Sequence, residues 1–411
     1  MSYTSKEAMA CRGDFPALAR ELNGIPLSYL DGPGGTQVPQ RVIDAVSDYY
    51  SRCNANTHGA FITSSETDVV MDHARETMAA FLGAESAGQV SFGANMTTLN
   101  FALSHALVRK MSPGDEIVIT ELDHEANRGP WLNLRERGII VKEVRMTAGG
   151  TLDRDDLAAK ISERTRVVAM GMASNALGTV SLEEIALARS LSRKVGAWLV
   201  LDAVHYAPHF PLDVQALECD FLLCSAYKFY GPHVGILYSR PGLLDELETD
   251  RLCTAEAAAP WRIETGTLNH AAIAGVTAAV EYVADLGSGD TLRARIQSAK
   301  NDIAAYEREV AVRYWNGLAS IPGVKTWGPD FSSVKRSPTI SITMEGVTAD
   351  KLAAELAKSG HLVWDGHFYA HKVVSTLGLD DQGGLLRTGF SMYNTAEEVD
   401  RLLASLAAVA G

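Results

Sequence analysis

Short, continuously apolar segments recur through the middle of this 411-residue chain, with helical patterns between them. The predicted strands are Glu116–Thr120, Ile139–Val144, Val167–Met172, Trp198–Asp202 and Phe221–Ser225. The predicted helices include Glu66–Leu82 and Leu182–Val195. Strands that are apolar on both faces are typical of parallel sheets covered by helices on both sides. The pattern therefore predicts an α/β fold built on a mostly parallel sheet.

A polar, glycine-containing break at residues 285–290 separates this region from a second one with a different pattern. After a long helix, the second region is predicted to contain a strand at Pro338–Met344 and helices at Ala349–Ser359 and Glu397–Ala407. This order is typical of a smaller α+β domain. We expect a large domain at residues 30–285 and a small domain formed by residues 1–29 and 286–411.

The charge, the apolar runs and the cysteines of the chain argue against nucleic-acid binding, membrane insertion, disulfides and a zinc site. The formal net charge is −13, which disfavours binding to nucleic acid or to an anionic membrane through overall charge. No apolar run has the length of a membrane span, and the N-terminus lacks the apolar core of a signal peptide. The five cysteines are scattered and form no C-x-x-C, so we expect neither disulfides nor a zinc site. A reducing, cytoplasmic location is the natural expectation.

The segment Val90–Thr98 is predicted to be a strand, a glycine-containing turn and the start of a helix. Free backbone N–H groups at such a helix start suit a phosphate. Thr97 and Thr98 are candidate helix caps, and this structural interpretation is the stronger one for the segment taken alone.

A carboxylate and a lysine follow two predicted neighbouring strands. Asp202 ends one strand, and Lys228 follows the next one, three residues after Ser225. Taken singly, Asp202 could cap a turn and Lys228 could be a solvated loop residue. Ligands of such sheets bind beyond the carboxyl ends of the strands, where both side chains would face one pocket. Pyridoxal 5′-phosphate (PLP) requires this pair, because a lysine binds its aldehyde as an imine and a carboxylate keeps its pyridine nitrogen protonated.

His124 follows the strand Glu116–Thr120 in a segment that also contains Asp123 and Glu125. Its imidazole could stack on a flat ring, although a lone histidine is more often a surface or capping residue. No second histidine stands at metal-ligand spacing, so we expect no metal here.

From Tyr29-Leu30-Asp31 to Tyr393-Asn394-Thr395, the order and spacing of these motifs resemble the class V aminotransferases of PLP fold type I. The resemblance is greatest to the cysteine desulfurase-like branch. It implies a seven-stranded sheet in the large domain, a small-molecule amino acid substrate and a homodimer.

The resemblance also implies roles for individual residues. The implied cofactor-binding set is Asn95, Met96, Thr97, His124, Asn175, Asp202, His205, Ser225, Tyr227, Lys228 and Thr267. Lys228 would form the internal aldimine, His124 would stack on the ring and transfer protons, and Thr267 would reach the phosphate of the partner subunit. His205 replaces a common glutamine beside the ring oxygen, and Tyr227 replaces a common histidine. On the substrate side, Arg387 would clamp the carboxylate, with His58 and Tyr369 nearby.

The chain departs from the desulfurase pattern in the small-domain loop at residues 363–371. Tyr369 occupies the position of the cysteine that takes up sulfur as a persulfide, and no cysteine follows Cys253. Trp364 replaces the neighbouring arginine. We expect this loop to be an aromatic lid that shapes the substrate pocket. We also expect Tyr369 to be a catalytic residue.

These features predict a PLP-dependent enzyme that acts on an α-amino acid through an external aldimine and a quinonoid. A β-eliminating C–S lyase and an aminotransferase are the leading interpretations, because a scaffold of this kind supports several reactions. The alternatives are a cysteine desulfurase that uses an external thiol acceptor, an amino acid epimerase, and a non-catalytic PLP-binding partner protein.

Overall fold

The computed structural model describes residues 3–411. Its strands are β1 Glu21–Leu22, β2 Ile25–Pro26, β3 Ser28–Tyr29, β4 Val90–Gly93, β5 Glu116–Thr120, β6 Ile140–Val144, β7 Thr165–Gly171, β8 Trp198–Asp202, β9 Phe221–Ser225, β10 Gly235–Ser239, β11 Val324–Trp327, β12 Thr339–Met344, β13 His361–Leu362, β14 Trp364–Gly366 and β15 Leu385–Gly389. Its α-helices are α1 Ser5–Arg12, α2 Gln40–Arg52, α3 Ile62–Leu82, α4 Met96–Val108, α5 Glu125–Leu132, α6 Arg154–Lys160, α7 Leu182–Val195, α8 Val214–Leu217, α9 His270–Asp285, α10 Leu292–Leu318, α11 Ala349–Lys358, α12 His371–Thr376 and α13 Ala396–Ala410.

The large sheet has seven strands in the order β4-β10-β9-β8-β7-β5-β6. Only β10 runs against the others, because it pairs antiparallel with both β4 and β9 while the remaining pairs are parallel. Apolar side chains of this sheet are buried on both sides. Leu222 and Leu223 of β9, for example, belong to two different core clusters. This double burial explains the continuous apolar runs and confirms the predicted α/β fold with a mostly parallel sheet.

Most predicted elements agree with the structure within one or two residues. The strands at Glu116–Thr120, Trp198–Asp202 and Phe221–Ser225 have the predicted bounds. Helix α3 begins four residues before the predicted Glu66. Phe61 is its N-cap and makes no side-chain capping hydrogen bond, so the sequence carries no start signal there.

A second, antiparallel sheet has the order β11-β12-β15-β14; α10 and α11 pack against it, and α13 packs on these two helices. The N-terminal residues pack against this part of the chain: Tyr3 donates to the Met392 carbonyl, and Arg12 pairs with Glu398 at 3.0 Å. The fold thus includes the expected smaller α+β unit. The domain bounds 30–285, 1–29 and 286–411 remain our proposal, which the location of the two sheets supports.

Within residues 3–411, none of the helices combines the length and the apolar character that a membrane-spanning helix requires.

Gly235 has no side chain, so β10 can lie close to the start of α4. A substitution at this position tests how tight that contact is. A Cβ at Gly235 would lie 2.3 Å from the carbonyl carbon of Asn95. We expect Gly235→Ala to lower the free energy of unfolding by about 1–3 kcal/mol, because backbone must move. The measurement is the urea midpoint of the purified protein. Gly129→Ala in α5 is the matched control, since no atom lies within 4 Å of its Cβ. Equal midpoints for the two variants would contradict the tight contact.

Candidate active site

The carboxyl ends of β7, β8 and β9 lie side by side, and Gly171 of β7 pairs with Asp202 of β8. A cavity at this edge brings together ten of the predicted site residues: Asn95, Met96, Thr97, His124, Asn175, Asp202, His205, Ser225, Tyr227 and Lys228. Their grouping follows from the sheet, in which every strand except β10 ends on the same side.

Lys228 lies in a 3₁₀ turn, Ala226–Lys228, immediately after β9. Its side chain is turned inward, with 8% of the residue exposed, so it is not a solvated loop lysine. The Nζ donates to the carbonyl oxygens of Pro33 and Gly34. Burial, followed by the nearby Arg387, lowers the pKa of Lys228 to about 7. A substantial fraction of this side chain is therefore a nucleophilic free amine at neutral pH.

Two buried carboxyl groups face the same cavity. Asp202 accepts from the Val204 N–H at 2.9 Å, so it caps the following turn and lines the site as well. Burial raises its pKa to about 6. Asp123 accepts from the Gly171 N–H at 2.7 Å, and burial together with Asp202 raises its pKa to about 7. Sequence reasoning considered Asp123 only as a metal ligand, because nothing local indicates that β5 and β8 converge.

Residues at the start of α4 line the cavity. Asn95, rather than Thr97 or Thr98, is the N-cap: its Oδ1 accepts from the Thr98 N–H at 2.9 Å, and the Thr98 side chain bonds back to the Asn95 backbone. The Met96 N–H donates to the Ser225 hydroxyl at 3.0 Å. The first turn contains no acidic residue, so the positive end of the helix is not neutralised.

Two histidines line the cavity as neutral rings. His124 caps α5 through its Nδ1, which accepts from the Ala126 N–H at 2.9 Å, and burial lowers its pKa to about 3. Burial also holds the pKa of His205 well below its ordinary value. The Nε2 of His205 lies 3.1 Å from the Ser337 hydroxyl and 2.9 Å from the Thr339 hydroxyl. These two hydroxyls come from the segment that enters β12, so His205 connects the cavity to the small unit.

Arg387 lies within β15 and is only 3% exposed, so it is not a surface arginine. Its Nη2 pairs with Asp31 Oδ1 at 2.7 Å, and its Nη1 donates to the Asn175 carbonyl at 3.2 Å. Burial lowers its pKa, and Asp31 opposes this effect. Sequence reasoning missed the role of Asp31, because its partner is 356 residues away.

Four predicted site residues are not part of the cavity lining within one chain: Arg387, Thr267, His58 and Tyr369. Thr267 and His58 line a separate cleft, in which the His58 ring contacts Asp68 at 3.2 Å. The expected aromatic lid is not closed by Tyr369 and Trp364, whose exposures are 69% and 57%. Tyr369 instead stacks loosely on His124, with the ring centroids 5.7 Å apart. Phe368 is the aromatic residue of this loop that is buried.

The residues present fit PLP. The buried Oδ1 of Asn175 and Nδ1 of His205 have no partner in residues 3–411, and both residues line the cavity. The start of α4, a buried amine and a buried carboxyl group lie around the same space. Buried polar atoms normally have partners, and the phosphate, aldehyde, ring nitrogen and ring oxygen of PLP can supply them. The fold and this site define a PLP-dependent enzyme of fold type I.

The model of the family "Aminotransferase class-V" matches residues 28–402. The chain therefore belongs to the class-V aminotransferase family.

Its similar relatives include proteins named cysteine desulfurase. One from Enterobacter sp. (strain 638) and one from Salmonella typhimurium are each 34% identical, over 96% of this chain and 96% of the relative. Among solved structures, the apo cysteine desulfurase from Thermococcus onnurineus NA1 superposes with a TM-score of 0.86 at 27% identity, covering 97% of both chains. The cysteine desulfurase CsdA from Escherichia coli gives 0.83 at 28% identity, with the same coverage.

The lowered pKa of Lys228 generates a test of its role. After borohydride reduction of the PLP-loaded protein, we expect cofactor mass on the peptide that contains Lys228. Lys228→Ala should carry none, whereas Lys372→Ala, a nearby lysine paired with Glu121, should label normally. PLP uptake by the apo protein should accelerate between about pH 6 and 8, because deprotonation supplies the amine nucleophile. Cofactor mass on another lysine in the Lys228→Ala variant would show that the assignment is wrong.

Proposed function

We propose that this protein is a β-eliminating C–S lyase, which acts on an α-amino acid carrying sulfur on its β-carbon. The observation that carries the proposal is the buried cavity that combines the Lys228 amine with Asp202 and the start of α4. The sulfur preference is taken from the name of the relatives, cysteine desulfurase. The release of sulfur, rather than its capture, follows from Tyr369 at the position where the resemblance places a cysteine.

We assign the cofactor contacts to residues of the cavity. Lys228 would hold the aldehyde carbon, Asp202 the ring nitrogen, and Asn175 with His205 the ring oxygen. Asn95, Met96, Thr97, Ser225 and Tyr227 would bind the phosphate, and His124 would cover the ring. When bound in this way, PLP supplies the electron sink that makes the Cα–H and Cβ–S bonds of an amino acid labile.

The chain's own groups then provide binding and proton transfer. We propose that Arg387 binds the substrate carboxylate through donor atoms that Asp31 and the Asn175 carbonyl leave free, such as its unpartnered Nε. Lys228, with a pKa near 7, can accept the proton from Cα at neutral pH. Tyr369 stacks on His124, which lines the cavity, and we propose that its phenol donates a proton to the leaving sulfur.

The same cavity could serve neighbouring reactions, since the reaction depends on the pocket and not on the fold. An aminotransferase is the second candidate, and the buried amine and guanidinium serve it equally well. A desulfurase with an external thiol acceptor and an epimerase follow. The non-catalytic alternative is disfavoured, because a scaffold protein needs no buried guanidinium that is held ready for a carboxylate.

Product identity separates these reactions. With L-cysteine and S-methyl-L-cysteine, we expect pyruvate, ammonium and one equivalent of sulfide or methanethiol, because loss of the Cα proton and of the sulfur on Cβ leaves a dehydroamino acid whose C–N bond is hydrolysed by water. The measurement is mass spectrometry of the products after a single turnover. Alanine would indicate a desulfurase, a 2-oxo acid that retains sulfur an aminotransferase, and D-cysteine an epimerase. Any of these three as the main product would overturn the lyase.

Intact-protein mass spectrometry of the same reaction tests the role of the loop. We expect no gain of a sulfur atom on residues 363–371. Tyr369→Phe should lower kcat about 10²-fold, as for the loss of a general acid, with a smaller change in KM. Unchanged turnover in this variant would show that Tyr369 is not the proton donor. The lyase assignment would then depend on the identity of the products alone.

We also propose that the active unit is a homodimer. The cleft that holds Thr267 and His58 is lined in part by exposed apolar side chains, Leu252 at 67% and Trp261 at 38%. Exposed apolar residues grouped in this way are typical of an interface. A second copy that covers the cleft would place Thr267 near the phosphate of its partner. A cytoplasmic location remains a prediction.

Mixed dimers test whether Thr267 acts across the interface. Lys228→Ala and Thr267→Ala, each inactive or weak alone, should regain one working site when unfolded and refolded together. This follows because the Lys228→Ala chain still supplies Thr267 to the intact lysine of the other chain. The readout is the visible absorbance of bound PLP together with turnover. A mixture of Lys228→Ala with Arg387→Ala is the control and should regain nothing. If activity does not recover in the mixture of Lys228→Ala with Thr267→Ala, then Thr267 acts in the active site of its own chain or in no active site.

A further inference from the structure

Phe368 contacts Arg387, which binds the substrate carboxylate in the proposed function, and Asn175, which flanks the cofactor ring oxygen there. Its ring covers the Arg387 guanidinium, with Cζ 4.4 Å from the ring centroid. Its carbonyl oxygen accepts from the Asn175 side-chain Nδ2 at 2.8 Å. The residue is 6% exposed, whereas its neighbour Tyr369 is largely in solvent. The buried aromatic of this loop is therefore the residue before the tyrosine.

The backbone of the loop is bent so that these contacts form. Phe368 and Tyr369 both adopt the left-handed conformation, with φ of 54° and 57°. Non-glycine residues seldom occur there, and two in succession carry a backbone cost. Their consecutive carbonyls turn toward the large domain, where Asn175 donates to the first and the Glu125 N–H donates to the second at 2.7 Å.

The contacts leave a defined set of free groups at the site. With one amide hydrogen bonded to Phe368, the Asn175 side chain keeps its other N–H and its unpartnered Oδ1. The Arg387 guanidinium is covered on one face by the ring, while Asp31 and the Asn175 carbonyl each bond one Nη. A carboxylate can therefore approach Arg387 only along its remaining edge.

We propose that Phe368 is a positioning residue that sets the specificity for the substrate carboxylate. It holds the guanidinium by a desolvated cation–π contact and fixes the rotamer of Asn175 through its carbonyl. This inference rests on the proposed function, because it assumes that an amino acid carboxylate binds at Arg387. It goes beyond that proposal by assigning carboxylate discrimination to a residue that does not itself bond to the substrate.

The test compares Phe368→Leu with Phe368→Tyr in the PLP-loaded enzyme. Both replacements are unbranched at Cβ, so both carry a similar backbone cost at a φ of 54°. For L-cysteine or S-methyl-L-cysteine, we expect Phe368→Leu to raise KM about tenfold while kcat changes less than about twofold, as for the loss of a buried cation–π contact. Phe368→Tyr keeps an aromatic ring over Arg387 and should therefore have the same KM as the wild type. Spectroscopic titration with cysteamine, which lacks the carboxylate, should give the same affinity for all three proteins.

A second measurement does not need turnover. Phenylglyoxal modifies arginine, and peptide mapping reports its rate at Arg387. We expect several-fold faster modification in Phe368→Leu than in the wild type or Phe368→Tyr, at equal PLP absorbance and equal melting temperature. If no amino acid alters the wild-type spectrum, the proposed function fails, and the phenylglyoxal rates still decide whether Phe368 shields Arg387. Equal KM values and equal modification rates in the Leu and Tyr variants would overturn the inference.

Discussion

Burial of charged groups at one edge of a parallel sheet is the constraint on which the rest of this structure depends. Lys228, Asp202 and Asp123 are all removed from water at the ends of neighbouring strands. An isolated buried charge is costly, so each group either shifts its pKa toward the neutral form or requires a partner. The pKa of the lysine is lowered and those of the two carboxyl groups are raised. The lowered pKa favours the free amine of Lys228, and the raised pKa values favour the protonated form of the two carboxyl groups until a cationic partner lies beside them.

The small unit contributes contacts that position this edge. Arg387 of β15 pairs with Asp31, and Arg336 donates to the Leu177 carbonyl at 2.7 Å. Ser337 and Thr339 lie against His205. Because these bonds connect segments that are far apart in the chain, a movement of the small unit would displace Arg387 and the hydroxyl partners of His205 together. The site is therefore an arrangement of two parts of the molecule, and the sheet supplies only one of them.

The loop after β14 is the place where this chain departs from the desulfurase pattern. Tyr369 offers a phenol where the resemblance places a sulfur-carrying cysteine, and the structure leaves that phenol exposed beside His124. Phe368 instead takes the buried position, against Arg387 and Asn175. In the proposed function, a phenol at this loop position, together with the buried amine and guanidinium, is the reason for assigning the release of sulfur rather than its capture.

The sequence by itself determined the parallel sheet, its strand ends and the residue types placed there. Double-sided burial requires continuous apolar runs, and the residues that follow those runs must meet at one edge. Lys228, Asp202 and the α4 start could be found for that reason, together with the resemblance that supplied Asn175, His205 and Arg387. Only the tertiary structure decided which side chains pair. Asn95 replaced the threonines as the helix cap, Asp31 became the partner of Arg387, and Phe368 rather than Tyr369 became the buried aromatic. Such choices depend on contacts between residues far apart in the chain and on two left-handed backbone conformations, and no local pattern encodes either.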